Sequence, residues 1–181
     1  MNTLKTSAQT ALSNLISAET ALDLAVDNRE AVFEPLQDFA TRIMGALKGC
    51  GASDAIIKDA KTINRKIQGK RAKPIKEVPN AEAIAVDPNN PQPIVPKHIS
   101  AIQLSYDSMI EHYEKLINLL SSVSFYIPNE AELKVSGLNT LLSTMKAVNT
   151  AHINATTNAI SARINRNELL YKKVTGLLDV A

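Results

Sequence analysis

The chain has 181 residues, which suits one domain or one domain with an appendage and is ample for a hydrophobic core. A single cysteine excludes an internal disulfide and a multi-cysteine metal site, and it fits a reducing compartment. Aromatic residues make up only 4% of the chain and tryptophan is absent, whereas alanine, leucine and isoleucine are abundant. This composition predicts an all-α protein packed through small and aliphatic side chains.

The formal net charge of +2 conceals four segments of alternating sign. Residues 1–52 carry a net charge of −2, residues 53–76 carry +6, residues 77–132 carry −6 and residues 133–181 carry +4. Segments of opposite sign can pair within the fold, so this pattern requires no external partner.

The N-terminal residues do not resemble a targeting signal. They have no basic start followed by an apolar run, and nowhere in the chain do 18 apolar residues follow one another. We therefore expect a cytoplasmic protein without a membrane span.

One apolar seam dominates the first fifty residues. It steps by alternating fours and threes from Leu4 to Cys50 and is interrupted only by Arg29. Its members are residues 4, 8, 11, 15, 18, 22, 25, 29, 32, 36, 39, 43, 46 and 50. This period predicts a long helix that begins near Thr6. Pro35 predicts a kink within the helix, with a break into two helices as the alternative.

An acidic row lies outside this seam, again at helical spacing. Its members are Glu19, Asp23, Asp27, Glu30, Glu34 and Asp38. Neighbouring like charges repel one another, so a docking partner or a divalent ion would relieve them. The simpler interpretation is a solvated face, or a face met by Arg163 and Arg166 of a later helix.

A basic helix follows the Gly49–Gly51 turn. Ser53 is a good cap for a helix over residues 54–68, and the cluster continues beyond the end of that helix. The candidate phosphate contacts are Lys58, Lys61, Arg65, Lys66, Lys70 and Arg71. The cluster lacks interleaved aromatic residues for base stacking, which weighs against nucleic-acid binding.

Six prolines fall within residues 69–97, which predicts an extended crossover rather than a helix. The Pro93–Pro96 spacing could also bind a proline-reading module. A second apolar seam predicts a helix over residues 99–123. Asn129 with Glu132 predicts the start of a last long helix that ends near Tyr171.

These elements together predict an antiparallel bundle of about four helices, two of them long, with a Pro-rich crossover. We expect a single domain over residues 1–181, made of helical halves 1–68 and 98–181 joined by the linker. Beyond Val148 the apolar residues of the last helix become smaller and sparser, so this part should approach its neighbour closely.

Two stretches carry a family resemblance, Phe125-Tyr-Ile-Pro-Asn-Glu and Arg166-Asn-Glu-Leu-Leu-Tyr. Over residues 98–181 the chain resembles a group of uncharacterised bacterial all-helical proteins. That group has no assigned activity, so the resemblance implies a helical fold and no site residues. In similar chains the sequence continues past residue 181 into another helix, so residues 175–181 are expected to begin an element that this chain truncates.

The residues that carry chemistry do not form a recognisable site. The three histidines lie on separate segments, and none follows a glutamate at the spacing of a di-iron bundle. Glu111, His112 and Glu114 point in different directions on one helix, which predicts surface or seam-edge residues. Cys50 has no adjacent base. We therefore predict no catalytic, cofactor-binding or metal-binding residues.

The predicted function is a non-catalytic structural or protein-interaction bundle that associates with a protein partner or with itself through coiled-coil-like helical faces. The alternative is a nucleic-acid-associated protein that acts through the basic segment 58–76.

Overall fold

The computed structural model describes residues 2–70, 104–173 and 175–178, and every regular element within them is helical. This confirms an all-α fold whose helices pack against one another. The five helices are α1 (Asn2–Phe33), α2 (Leu36–Gly49), α3 (Asp54–Ile67), α4 (Tyr106–Ser121) and α5 (Val135–Tyr171). Most of the predicted Pro-rich crossover lies outside the described residues.

Pro35 interrupts the first helical stretch. The last backbone hydrogen bond before it runs from Glu34 N to Glu30 O at 2.8 Å, and the next helix begins at Leu36. Proline has no N–H to continue the ladder, and its ring clashes with the carbonyl four residues earlier. The helix is therefore interrupted at Pro35, as the predicted kink requires, and it resumes at Leu36.

The buried face of α2 follows the predicted seam only in part. The seam positions Leu36 and Ile43 are buried, with 1% and 0% of their area exposed, which confirms the prediction there. The seam positions Phe39 and Ala46 are only half-buried, and the neighbouring Ala40 and Leu47 are fully buried instead, so the prediction was wrong at those two positions.

The chain divides into two compact units. The first, which we call the hairpin unit, comprises Met1–Leu36 and Asn139–Ala181, and the second, the central unit, comprises Gln37–Leu138. Each unit takes residues from both predicted halves, so neither half forms a unit by itself.

The central unit is built on the packing of α3 against α4. Ser53 caps α3 by accepting a hydrogen bond from Ile56 N at 3.5 Å, as predicted, and Gly51 adopts a φ of 79° in the turn that ends α2. The core side chains that are fully buried include Ile43, Leu47, Ile67, Leu116 and Leu120.

Three predicted helix starts were wrong. Helix α1 begins at Asn2, before the predicted Thr6 cap. Helix α4 begins at Tyr106, where the Ser105 hydroxyl accepts a hydrogen bond from Ser108 N at 3.2 Å. Helix α5 begins at Val135 rather than near Asn129.

Residues 129–134, where the start of α5 was predicted, form tertiary interactions and are not part of that helix. Glu132, expected to complete the start signal, forms an ion pair with Arg42 of α2, and so does Glu130. The intervening residues form a 3₁₀ turn (Ala131–Leu133), held by a hydrogen bond from the Tyr126 hydroxyl to Leu133 O at 2.8 Å.

Gly137 makes the first turn of α5 compatible with this 3₁₀ turn. A Cβ atom at position 137 would lie 2.6 Å from Ala131 O and 2.7 Å from Glu132 O. We expect Gly137→Ala to lower the free energy of unfolding by about 1–3 kcal/mol, because backbone atoms must move. A Cβ atom at Gly45 of α2 would meet nothing within 4 Å, so Gly45→Ala should raise that free energy by about 0.5–1 kcal/mol. Urea denaturation of both variants measures the difference, and stabilisation by both would contradict this packing.

Candidate interaction surface

Helices α1 and α5 form an antiparallel pair in the hairpin unit. Glu19 pairs with Arg163 at 2.8 Å, and Arg29 contacts His152 at 2.9 Å, so residue numbers fall along α5 as they rise along α1. The seam between the helices contains small buried residues, including Ala8 and Ala11 of α1 and Ala159 of α5. Small side chains allow two helices to approach closely, in line with the prediction for this part of α5.

Arg29 is the one charged residue in the α1 seam, and a side chain of α5 forms a hydrogen bond with it. The Arg29 guanidinium donates to Nδ1 of His152, so the imidazole accepts at that nitrogen. The pKa of His152 is lowered by burial and, further, by the positive charge of Arg29. Neutral His152 is therefore the hydrogen-bond partner of Arg29 in the seam, and the sequence did not predict this contact.

Only part of the predicted contact between the acidic row and α5 forms. Glu19 has Arg163 as its partner, which confirms that half of the prediction. Arg166 instead donates to the side-chain oxygen of Asn167 at 2.7 Å. Asp23, Asp27 and Glu30 are exposed.

Most of the exposed large apolar side chains among the described residues belong to the hairpin unit. Those in this unit are Leu12, Ile16, Leu24, Ile153, Ile160, Ile164, Tyr171 and Leu178, with exposed fractions between 46% and 64%. An isolated exposed leucine is ordinary in a soluble protein, but a contiguous group of this size indicates a contact surface.

Six of these residues lie on one side of the helix pair. Leu12 and Ile16 each follow a buried seam residue of α1, and Ile153, Ile160, Ile164 and Tyr171 follow one another by seven, four and seven residues on α5. One position further along a helix is a rotation of about 100°. A two-fold axis perpendicular to the plane of the two helices relates the helices of an antiparallel pair. The residues that follow the seam on α1 and those that follow it on α5 therefore lie on the same side of the pair. We call these six residues the apolar face.

The opposite side of the pair carries fewer exposed large apolar side chains. Residues that precede a seam position occupy it, including Asn14 on α1 and Asn158 on α5, both exposed. Leu24, 59% exposed, precedes the seam residue Ala25 and so lies on this opposite side. It resembles the members of the apolar face in size and exposure, which makes it a matched control.

An open depression of about 380 Å³ lies at the C-terminal end of α5, beside the apolar face. It is lined by Ile164, Asn167, Glu168, Tyr171 and Lys172. Ile164 and Tyr171 of the apolar face therefore border this shallow depression together with polar side chains.

The predicted basic cluster does not form one surface on α3. Lys58, Lys61 and Arg65 lie along one row of the helix, whereas Lys66 lies close enough to Glu111 and His112 of α4 to influence their pKa values. Lys70 is exposed beyond the helix, and Arg71 lies outside the described residues.

His112 is more buried than a surface or seam-edge residue, with 8% of its area exposed. Burial lowers its pKa, and the charge of Lys66 lowers it further. The pKa of the neighbouring Glu111 is lowered by its hydrogen bond to Lys115. Burial of neutral His112 makes the free energy of unfolding depend on pH. Its contribution is fully present above the pKa of histidine in the unfolded chain, and it is lost as the pH falls through the lowered pKa of His112 in the folded protein.

Cys50 lines an open depression of about 370 Å³ in the central unit, together with Phe125, Ile127 and Glu130. The Glu130 carboxylate in that lining forms an ion pair with Arg42.

Comparisons of the chain with protein-family models, with curated proteins and with solved structures found no match. No helix among the described residues is both long enough and apolar enough to cross a bilayer.

Proposed function

We propose that this chain is a non-catalytic helical interaction protein that binds a protein partner through the apolar face of its hairpin unit. The observation that carries the proposal is the alignment of six large apolar side chains, each at least 46% exposed, on one side of two long helices.

A pair of helices can bury only part of the surface of each helix. Each helix of a pair hides one stripe of side chains against its neighbour, so an apolar flank beside that stripe requires another layer. On α5 the seam and the flank are both apolar, because Ala159 is buried and the adjoining Ile160 is 51% exposed. Complete burial of an isoleucine side chain stabilises by about 1.5–3 kcal/mol, so covering one that is half exposed contributes about half of that.

The distribution of side chains also supports binding through one side only. The side that carries Leu24 also presents Asn14 and Asn158, which are well solvated. Asp23 and Glu30 follow the seam positions Leu22 and Arg29, so they lie on the same side of α1 as Leu12 and Ile16. That side therefore combines exposed apolar side chains with charged ones, as protein–protein interfaces commonly do.

Site-specific photo-crosslinking in cells that produce this protein tests the proposal. A photoreactive amino acid at position 160 should yield covalent adducts with a protein, because that side chain lies at the centre of the face. The same amino acid at position 24 is the control and should yield far fewer adducts. Equal yields from the two positions, or no adducts from position 160, would contradict the proposal.

A further inference from the structure

We propose that the partner of the apolar face is a second copy of this chain, docked antiparallel so that two hairpin units form a four-helix assembly. This inference rests on the proposed function and adds the identity and orientation of the partner. It follows from the size of the apolar face and from the charge along the hairpin.

The size of the face matches what a stable dimer requires. Helix α1 contains 32 residues, so it is about 48 Å long at 1.5 Å per residue. Two adjacent helices, each about 10 Å across, present a side of roughly 960 Å² over that length, and the apolar face is part of that side. A standard protein–protein interface buries about 800 Å² on each partner.

The charge of the hairpin is divided along its length. The contact between Glu19 and Arg163 divides the helix pair into two halves. Residues 2–18 and 163–178 carry five basic groups and one acidic group, a net charge of +4, which we call the basic half. Residues 19–36 and 139–162 carry two basic groups and five acidic groups, a net charge of −3, which we call the acidic half.

This division selects an antiparallel arrangement of two copies. A parallel dimer would place the two basic halves together and the two acidic halves together, which is repulsive at both ends. An antiparallel dimer places each basic half against the acidic half of the other copy. Because a two-fold interface is self-complementary, both favourable contacts form at once.

The apolar side chains fit the same arrangement. Leu12, Ile16 and Tyr171 lie in the basic half, and Ile153 and Ile160 lie in the acidic half. A two-fold axis across the helices lays α5 of one copy on α5 of the other, so antiparallel docking brings Tyr171 towards Ile153 and Ile160 of the second copy. The acidic row of α1 then faces residues 2–18 of the second copy's α1, which carry Lys5 and no acidic group, and this reduces the repulsion between members of the row.

Two charge-reversed variants test the arrangement. The first carries Asp23→Lys, Asp27→Lys and Glu30→Lys, which changes the net charge of its acidic half from −3 to +3. The second carries Lys5→Glu, Lys172→Glu and Lys173→Glu, which changes the net charge of its basic half from +4 to −2. All six positions are exposed, so the fold of each variant should be preserved.

Sedimentation velocity of the purified full chain should show a dimer for the unmodified protein. Each variant alone should dissociate, with a dissociation constant raised by about tenfold or more, because both contacts become repulsive. An equimolar mixture should restore the dimer as a heterodimer, which also shows that both variants remain folded.

Two outcomes would overturn the inference. If each variant dimerises as the unmodified protein does, the antiparallel charge pairing is wrong. If the unmodified protein is a monomer at every concentration, the second copy is not the partner. If the protein is a monomer but position 160 forms adducts with a different protein, the proposed function is supported and only the self-association is wrong. If the protein is a monomer and position 160 forms no adducts, both proposals are wrong.

Discussion

Replacing Ile160 and Ile164 with glutamine is expected to convert the assembled protein to monomers while leaving its folding intact. The two side chains are 51% and 55% exposed, so their replacement should change the free energy of unfolding of the monomer by no more than about 0.5 kcal/mol. In a two-fold dimer the change removes four buried isoleucines, which should raise the dissociation constant at least about a hundredfold. Sedimentation velocity measures the association, and urea denaturation measures the stability.

The control for this variant is Leu24→Gln, which removes an equally exposed aliphatic side chain from the opposite side of the same hairpin. It should leave the dissociation constant unchanged. A dimer that survives the double replacement, or one that Leu24→Gln weakens equally, would contradict the position of the interface.

Replacing Ala159 with leucine should destabilise the hairpin unit. Ala159 is 2% exposed in the seam between α1 and α5, so a larger side chain must push the helices apart or adopt a strained rotamer. We expect a loss of about 1–3 kcal/mol in the free energy of unfolding.

Ala147 is exposed on the same helix, and Ala147→Leu should change that free energy by no more than about 0.5 kcal/mol. Denaturant titration of the two variants gives the comparison. Equal effects at both positions would show that Ala159 does not lie in the seam.

Local chemistry explains which elements the sequence could predict. The seam of α1 up to Val32, the Ser53 cap of α3 and the end of α5 at Tyr171 follow from spacing and capping within a few residues. The wrong start of α5 has a tertiary cause, because Arg42 binds Glu130 and Glu132 from another helix. Beyond Pro35 the predicted seam holds at Leu36 and Ile43, whereas the burial of Ala40 and Leu47 depends on tertiary packing that residue spacing does not specify.

The candidate surface was harder to predict for a different reason. Helix α5 carries two apolar rows, one with Ala159 and one with Ile160, and periodicity cannot decide which row faces α1. The structure assigns the smaller residue to the seam and leaves the larger one exposed. Close helix packing favours this choice, since small residues permit the shortest distance between helix axes.

The ratio of cross-linked product from position 160 to that from position 24, measured in the same cells at equal expression, tests the interaction surface most directly. Both positions are more than half exposed on the same hairpin, so the ratio cancels differences in labelling and in abundance. A covered apolar face predicts a yield several times larger from position 160. Equal yields would show that neither side of the hairpin is a preferred binding surface.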